Sequence, residues 1–276
     1  MTLPGHQWRR RDALRLFATA SGLMAAGVWR ATASIASPTV LAQTSGAAAC
    51  ALTAEQEEGP FYVDLDLVRS DVREDQVGIP LNLTMTVLDM NTCQPLPNAA
   101  VDIWSANALG VYSAEAQLGS SGATFLRGLQ ITGADGTIQF TTLYPGWYTG
   151  RVNHIHMKVH VGGAATSASF DETGSHVAHT GQMFFPQDVN DAIAKISPYT
   201  SNRNAYVSNS QDGVYTSQSG SLSQLALTGN PSDGFSGSIT LSVDPDATPA
   251  GVGAGGAAPG GTGRRGFGGP PPQPAP

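Results

Sequence analysis

Short stretches of alternating apolar and polar residues, each ended by a turn-forming cluster, limit this chain's folding options more than any other feature. Leu81-Asn82-Leu83-Thr84-Met85-Thr86-Val87-Leu88 puts Leu81, Leu83, Met85 and Val87 on one side and Asn82, Thr84 and Thr86 on the other. Side chains in a strand alternate with period two, so this is a strand with one buried face. Ala100–Trp104, Thr137–Thr141, His154–Val161 and Ser238–Val243 repeat the pattern. Gln94–Asn98, Ala134-Asp135-Gly136 and Tyr144-Pro145-Gly146 supply turns between them. Helix signals are sparse: a capping-box start at Thr53-Ala54-Glu55-Gln56 and a modest stretch over Pro186–Ile196. The expectation is an all-β fold, a β-sandwich core of two sheets with short helices and long loops. Only 13% of residues are charged, about half the usual share of roughly 25%, which argues against a highly charged helical bundle. Two cysteines are too few for a disulfide-dense mini-scaffold.

The ends of the chain read differently. Arg9-Arg10-Arg11-Asp12-Ala13-Leu14-Arg15 precedes an apolar, small-residue run from Ala18 to Trp29, and Val40-Leu41-Ala42 follows. A basic start, an apolar middle and a small-residue exit describe an export signal over residues 1–42. Its arginine pair and Leu14 resemble a twin-arginine signal, with Ala13 where Phe is usual. The apolar run falls well short of the roughly 20 residues a membrane span needs. The expected location is therefore periplasmic or extracellular, with no membrane span in the mature chain. Residues 43–78 are read as an N-terminal segment packing on the core, and 79–246 as the sandwich. Residues 247–276 form a Gly/Pro-rich tail expected to be disordered, since 251–276 hold ten Gly and six Pro without hydrophobic period. Residues 1–42 carry five Arg and one Asp, so the mature chain stands near −11 against −7 for the whole. Such an acidic surface disfavours nucleic acid and anionic lipid. In an oxidising compartment Cys50 and Cys93 are expected to pair.

Five of the six histidines lie between residues 154 and 179. On a strand His154 and His156 face one side, so both imidazoles can reach one ion. Two surface histidines on a polar strand face are the alternative. No Asp or Glu occurs from Thr137 to Gly163, so a site built there lacks the carboxylate of a facial triad. A zinc or copper site completed by His176 or His179 stays open.

Five segments carry a family resemblance. They are Glu58-Gly59-Pro60-Phe61-Tyr62; Val101-Asp102-Ile103-Trp104 with Gly110-Val111-Tyr112-Ser113; Phe125–Gln130 running through Pro145-Gly146-Trp147-Tyr148; Arg151-Val152-Asn153-His154-Ile155-His156; and Gly181–Phe185. In order and spacing they resemble the intradiol ring-cleavage dioxygenases, non-haem ferric enzymes that include protocatechuate and catechol dioxygenases, and in particular their exported single-chain relatives. The resemblance implies one Fe(III) per chain, held by Tyr112, Tyr148, His154 and His156. Tyr148 rather than Tyr144 is the match, because it lies three residues after Pro145. It also implies catalytic roles for Tyr148, Arg151 and Gln182, and a pocket lined by Pro60, Tyr62 and Arg151. The implied substrates are a small aromatic diol and O2, with ring cleavage between the hydroxyls. No cationic cluster marks a pocket for a ring carboxylate. His160, His176 and His179 match no metal role and are read as solvated or supporting residues. A homodimer is the one assembly considered, and an exported metal-binding module without turnover is the competing function.

Overall fold

The alternating segments fold as strands in the computed structural model, which describes residues 50–252. In chain order the strands are β1 (Pro80–Asp89), β2 (Ala100–Ser105), β3 (Arg127–Ile131), β4 (Thr137–Leu143), β5 (His154–Val161), β6 (Ala164–Ala165), β7 (Phe170–Asp171), β8 (His176–Phe184), β9 (Ala226–Asn230) and β10 (Gly234–Val243). Two short helices, α1 (Gln187–Ile193) and α2 (Gly213–Ser217), lie between β8 and β9. The export signal read over residues 1–42 and nearly all of the Gly/Pro-rich tail lie outside the described residues.

Two four-stranded sheets face each other, in the orders β4-β1-β10-β9 and β3-β2-β5-β8. In the first sheet β1 runs parallel to β10 and antiparallel to β4; the second is antiparallel throughout. Leu81, Leu83, Met85 and Val87 of β1 enter the core with Ile138 and Phe140 of β4 and Leu241 and Val243 of β10. Val101 and Ile103 of β2 and Ile155, Met157 and Val159 of β5 meet them from the second sheet. The fold is an all-β sandwich. Among the described residues no helix is long and apolar enough to cross a membrane.

The outer face of the second sheet is covered as well. The segment from Gln56 to Val72 crosses it as a strap: Gln56 N–H donates to the Thr180 carbonyl on edge strand β8 (3.0 Å), and Leu129 N–H on edge strand β3 donates to Leu67 (2.8 Å). Val72 N–H then donates to Thr141 of β4 in the other sheet (3.0 Å). The strap corrects the expected helix start at Thr53–Gln56, which is not helical. Thr53 N–H donates to Ser242 (2.8 Å), while Gln56 Oε1 accepts from Gln182 N–H (2.7 Å). The capping residues thus bond to strands rather than to a local turn, a tertiary override of a weak propensity. The Pro186–Ile196 stretch does turn helical, as α1 after Pro186.

Cys50 and Cys93 are joined, with Cα atoms 5.5 Å apart, tying the start of the strap to the turn after β1. Phe140 is 1% exposed and central to the core. Phe140→Ala is expected to cost about 3–5 kcal/mol of unfolding free energy, read as a lower denaturant midpoint; a loss below about 1 kcal/mol would contradict this packing.

Candidate metal centre

Strand register sets the site. On the outer face of the second sheet, Trp104 pairs with Arg127 on β3 and with His156 on β5, and His156 pairs with Gln182 on β8. Arg127, Trp104, His156 and Gln182 therefore form one row across four strands, under the strap. His154 stands two residues along β5 on the same face, opposite Phe184. All five of these side chains are buried, and β5 is buried on both sides for seven of its eight residues.

Tyr112 and Tyr148 reach this row from loops. The Tyr148 turn is pressed against the loop after β2 at Gly146, where a Cβ would lie 2.5 Å from the carbonyls of Asn107 and Ala108. Trp147 N–H donates to the Asn204 carbonyl (2.9 Å), fixing the turn from the other side. The Tyr112 and Tyr148 rings are 5.6 Å apart between centroids, and Tyr148 lies 5.5 Å from the His154 ring. Tyr112 Oη is 3.4 Å from His154 Nε2, which is 3.1 Å from His156 Nε2. Tyr144, the other aromatic of the turn, points into the sandwich core and donates to Asn190 Oδ1 (2.7 Å).

This donor set fits a metal ion. His154 Nδ1 lies 2.5 Å from the Val152 carbonyl, which makes it the N–H donor and leaves Nε2 with its lone pair inward. Two nitrogens each about 2.1 Å from one ion, at about a right angle, are about 3 Å apart. The His154–His156 spacing has that value. Burial, reinforced by Arg151, holds both imidazoles well below their usual pKa, so they stay neutral and able to ligate. Burial raises both phenols, Tyr112 further by Tyr148, whereas Arg151 opposes the rise at Tyr148. Phenolates form in such a place only beside a strong positive charge.

Arg151 and its partners flank the phenol side. Its Nη1 donates to Tyr148 Oη (3.2 Å) and its Nε to Asp212 Oδ2 (2.9 Å), and Nη2 donates to Gln182 Oε1. Gln182 in turn donates to the Glu57 carbonyl (2.7 Å). Asp212 is fully buried; it also accepts from Val152 N–H (2.8 Å) and caps α2 through Val214 and Tyr215. Burial alone would raise its carboxyl, but Arg151, His154 and these backbone N–H groups outweigh that and hold it low.

The structure thus brings Tyr112, Tyr148, Arg151, His154, His156 and Gln182 together. It places Pro60 and Tyr62 differently. Pro60 is exposed, and Tyr62 packs tilted against Trp104 (4.8 Å between centroids, 58° between planes) with Lys158 Nζ over its ring (3.4 Å). Phe61 is the strap residue that touches the site, stacked on Tyr112 at 4.5 Å and edge-on to Tyr148 at 5.5 Å. Sequence reasoning also missed Trp104, whose ring lies flat on His156 (4.8 Å, 8° between planes), and Asp212. An Asp-Gly start to a helix signalled a cap at Asp212, but nothing linked it to Arg151, 61 residues away.

The remaining histidines need correction. His179 pairs with Val159, so it faces the opposite side of the sheet from His154 and His156, and its Nδ1 meets Glu55 Oε1 at 2.5 Å. A zinc or copper site of His154, His156 and His179 is therefore not assembled. His160 and His179 are buried rather than solvated, while His176 donates to the Pro245 carbonyl (2.9 Å).

Comparisons with known proteins show the family. A family model described as Dioxygenase matches residues 57–211, more than half of the chain. An intradiol ring-cleavage dioxygenase from Tetranychus urticae is 33% identical, with a TM-score of 0.64, over 72% of this chain and 98% of that one. The dioxygenase domain of a dioxygenase–carbohydrate-binding fusion from Streptomyces sp. SirexAA-E is 25% identical, with a TM-score of 0.50, over 70% of this chain and 99% of that one. The catechol 1,2-dioxygenase of Acinetobacter baylyi is 36% identical over 96 residues, 33% of this chain and 30% of that protein. The chain thus matches about 30% of the length of this curated relative. With the family model covering most of the sandwich and the T. urticae structure superposing nearly whole, the chain belongs to the intradiol ring-cleavage dioxygenases.

Proposed function

We propose that this protein is an Fe(III)-dependent intradiol dioxygenase that opens a catechol-type ring between its hydroxyl-bearing carbons. Both atoms of O2 enter the product, a ring-opened dicarboxylate, so catechol plus O2 balances without a further reductant. The observation that carries the reading is the convergence of two phenols and two imidazoles, with no carboxylate among them and a guanidinium 3.2 Å from one phenol oxygen. Tyr112, Tyr148, His154 and His156 would hold the iron. When bound, ferric iron supplies the charge that ionises the phenols and draws electron density from a chelating diol.

The chain's own groups have distinct parts in this reading. Tyr112, His154 and His156 are buried, whereas Tyr148 keeps some surface, so Tyr148 is the side from which a diol can approach. Its oxygen is placed to take a proton from a substrate hydroxyl. Arg151, charged at any working pH, stabilises negative charge at that position. Phe61 and Trp104 exclude water from the two faces nearest Tyr112 and His156. Asp212 balances Arg151, and Lys158 is bound to Glu58 at 2.6 Å, so neither is free to receive a ring carboxylate. That favours an uncharged catechol.

Iron-loaded protein is expected to show a strong visible tyrosinate-to-iron band and to consume one O2 per catechol opened. A colourless iron-loaded protein would overturn the iron reading; a coloured one inert towards a panel of catechols would leave a binding module. Asp212→Asn removes the charge that balances Arg151 while keeping a hydrogen-bonding side chain. It is expected to lower kcat/KM for catechol by about 10²-fold through a displaced guanidinium, and unchanged kinetics would remove Asp212 from the mechanism. We further propose export, supported by the basic, apolar and small-residue order of residues 1–42. N-terminal sequencing of protein recovered outside the cytoplasm is expected to begin near Gln43, and an intact Met1 would contradict it.

A further inference from the structure

Between the strap and the β2–β3 end of the row that carries His156 lies a small cavity of about 10 Å³, lined by Val63, Leu65, Leu67, Gly128 and four polar residues: Asp66, Asp102, Trp104 and Arg127. Three of those four turn a buried, unpaired atom into the protein interior: Trp104 Nε1, Arg127 Nη1 and Asp66 Oδ1 make no hydrogen bond to any protein group. Trp104 is 1% exposed and Arg127 3%. Leaving such groups unpaired in a dry interior costs about 1–3 kcal/mol each, and more for a charged one. Their chemistry is complementary: the residues that line this one space carry two N–H donors and two carboxyl groups. Burial pushes the Asp102 carboxyl up to about 8, although Arg127, Lys158 and a hydrogen bond from Tyr62 pull the other way.

We propose that this cavity holds one water molecule, which accepts from Trp104 Nε1–H and Arg127 Nη1–H and donates to Asp66 and Asp102, and that the water makes Trp104 a positioning residue for His156. A cavity of about 10–15 Å³ takes one water, given two to four polar partners. The guanidinium repels a cation, and the Asp66 carboxylate repels an anion. A neutral molecule with two donors and two acceptors satisfies all four groups at once.

Positioning follows from what His156 lacks. A metal-binding imidazole is commonly aimed by a hydrogen bond from its second ring nitrogen. His156 Nδ1 is buried and has no such bond. What fixes the ring is Trp104, flat against one face, and Gly59, where a Cβ would lie 3.2 Å from His156 Cε1. Trp104 lines the cavity, and its only side-chain hydrogen-bonding atom, Nε1, is buried without a protein partner. From the same cavity Arg127 reaches the phenol side: it donates to the Phe61 carbonyl (2.8 Å), to the Ser113 carbonyl (2.8 Å) and to Ser113 Oγ (2.9 Å), next to Tyr112.

The water and the orientation of His156 stand apart from the iron reading and can be read without metal. Crystal structures of the metal-free full-length protein, of Trp104→Phe and of Trp104→Leu test both. The parent is expected to show one ordered peak within hydrogen-bonding distance of all four groups. Trp104→Phe, which keeps a ring but no N–H, should lose or displace that peak while His156 holds its orientation. Trp104→Leu should turn His156 away, so that its Nε2 no longer lies near 3.1 Å from His154 Nε2. An empty cavity in the parent would overturn the water, and an unmoved His156 in Trp104→Leu would overturn the positioning role. With iron loaded, Trp104→Leu should release metal to a chelator at least about tenfold faster than Trp104→Phe; equal release rates would also overturn the positioning role. If the parent takes up no iron, the iron reading fails while both metal-free results still decide this one.

Discussion

Everything at this site depends on covering a sheet face that an antiparallel sandwich ordinarily leaves to water. The strap from Gln56 to Val72 closes the outer face of β3-β2-β5-β8, bonding to β8 at one edge and to β3 at the other. Once that face is dry, each polar side chain on it must find a partner or pay the full cost of desolvation. The row Arg127–Trp104–His156–Gln182 shows how the protein's own groups meet part of this, leaving Trp104 Nε1, Arg127 Nη1 and His156 Nδ1 without a protein partner. Gln182 bonds the strap at Glu57 and Arg151 beyond it, Arg127 bonds the strap at Phe61, and the two central aromatic rings stack on each other. The same covering keeps the imidazoles neutral and the phenols protonated.

Arg151 is the charge hydrogen-bonded to the Tyr148 phenol, and its strength comes from being held from three directions. Asp212, Gln182 and Tyr148 each take a different nitrogen of the guanidinium. Asp212 also accepts from Val152 N–H, and the Val152 carbonyl accepts from His154 Nδ1. One buried carboxylate therefore sets the place of the guanidinium and, through a single backbone residue, the tautomer of a histidine. Removing one member of a buried pair of this kind costs about 3–5 kcal/mol, because the other is left uncompensated. The cost makes the geometry stiff.

The strands with clean alternation were legible in the sequence because their period-two pattern coincides with burial, as in β1, where Leu81, Leu83, Met85 and Val87 all enter the core. The His154–Val161 strand was legible as a strand with His154 and His156 on one face, but nothing local announces a strap placed over that face by residues about a hundred positions earlier. Strand β8 escaped for a different reason. His176-Val177-Ala178-His179-Thr180-Gly181-Gln182-Met183-Phe184 has no regular alternation, and its pairing with β5 slips at Val159/His160, so its two histidines end up facing differently from what even spacing suggests. The site residues that carried a family spacing were legible individually. Trp104 and Asp212 were not, because what each does is set by a neighbour distant in sequence: His156 and Arg151.

The scarcity of charge now has a physical account. Arg127, Arg151 and Lys158 are buried cations, and each is matched in its own way: Arg151 by Asp212, Lys158 by Glu58 and the Tyr62 ring, and Arg127 by carbonyl and hydroxyl oxygens. A carboxylate placed beside the imidazoles instead would offer a hard, permanently charged ligand and change the preference of the site. Restricting the ligands to phenols and neutral imidazoles means that only an ion able to ionise the phenols gains all four donors. The acids are kept one layer back, on the guanidinium and ammonium groups, where they orient cations without competing for the metal.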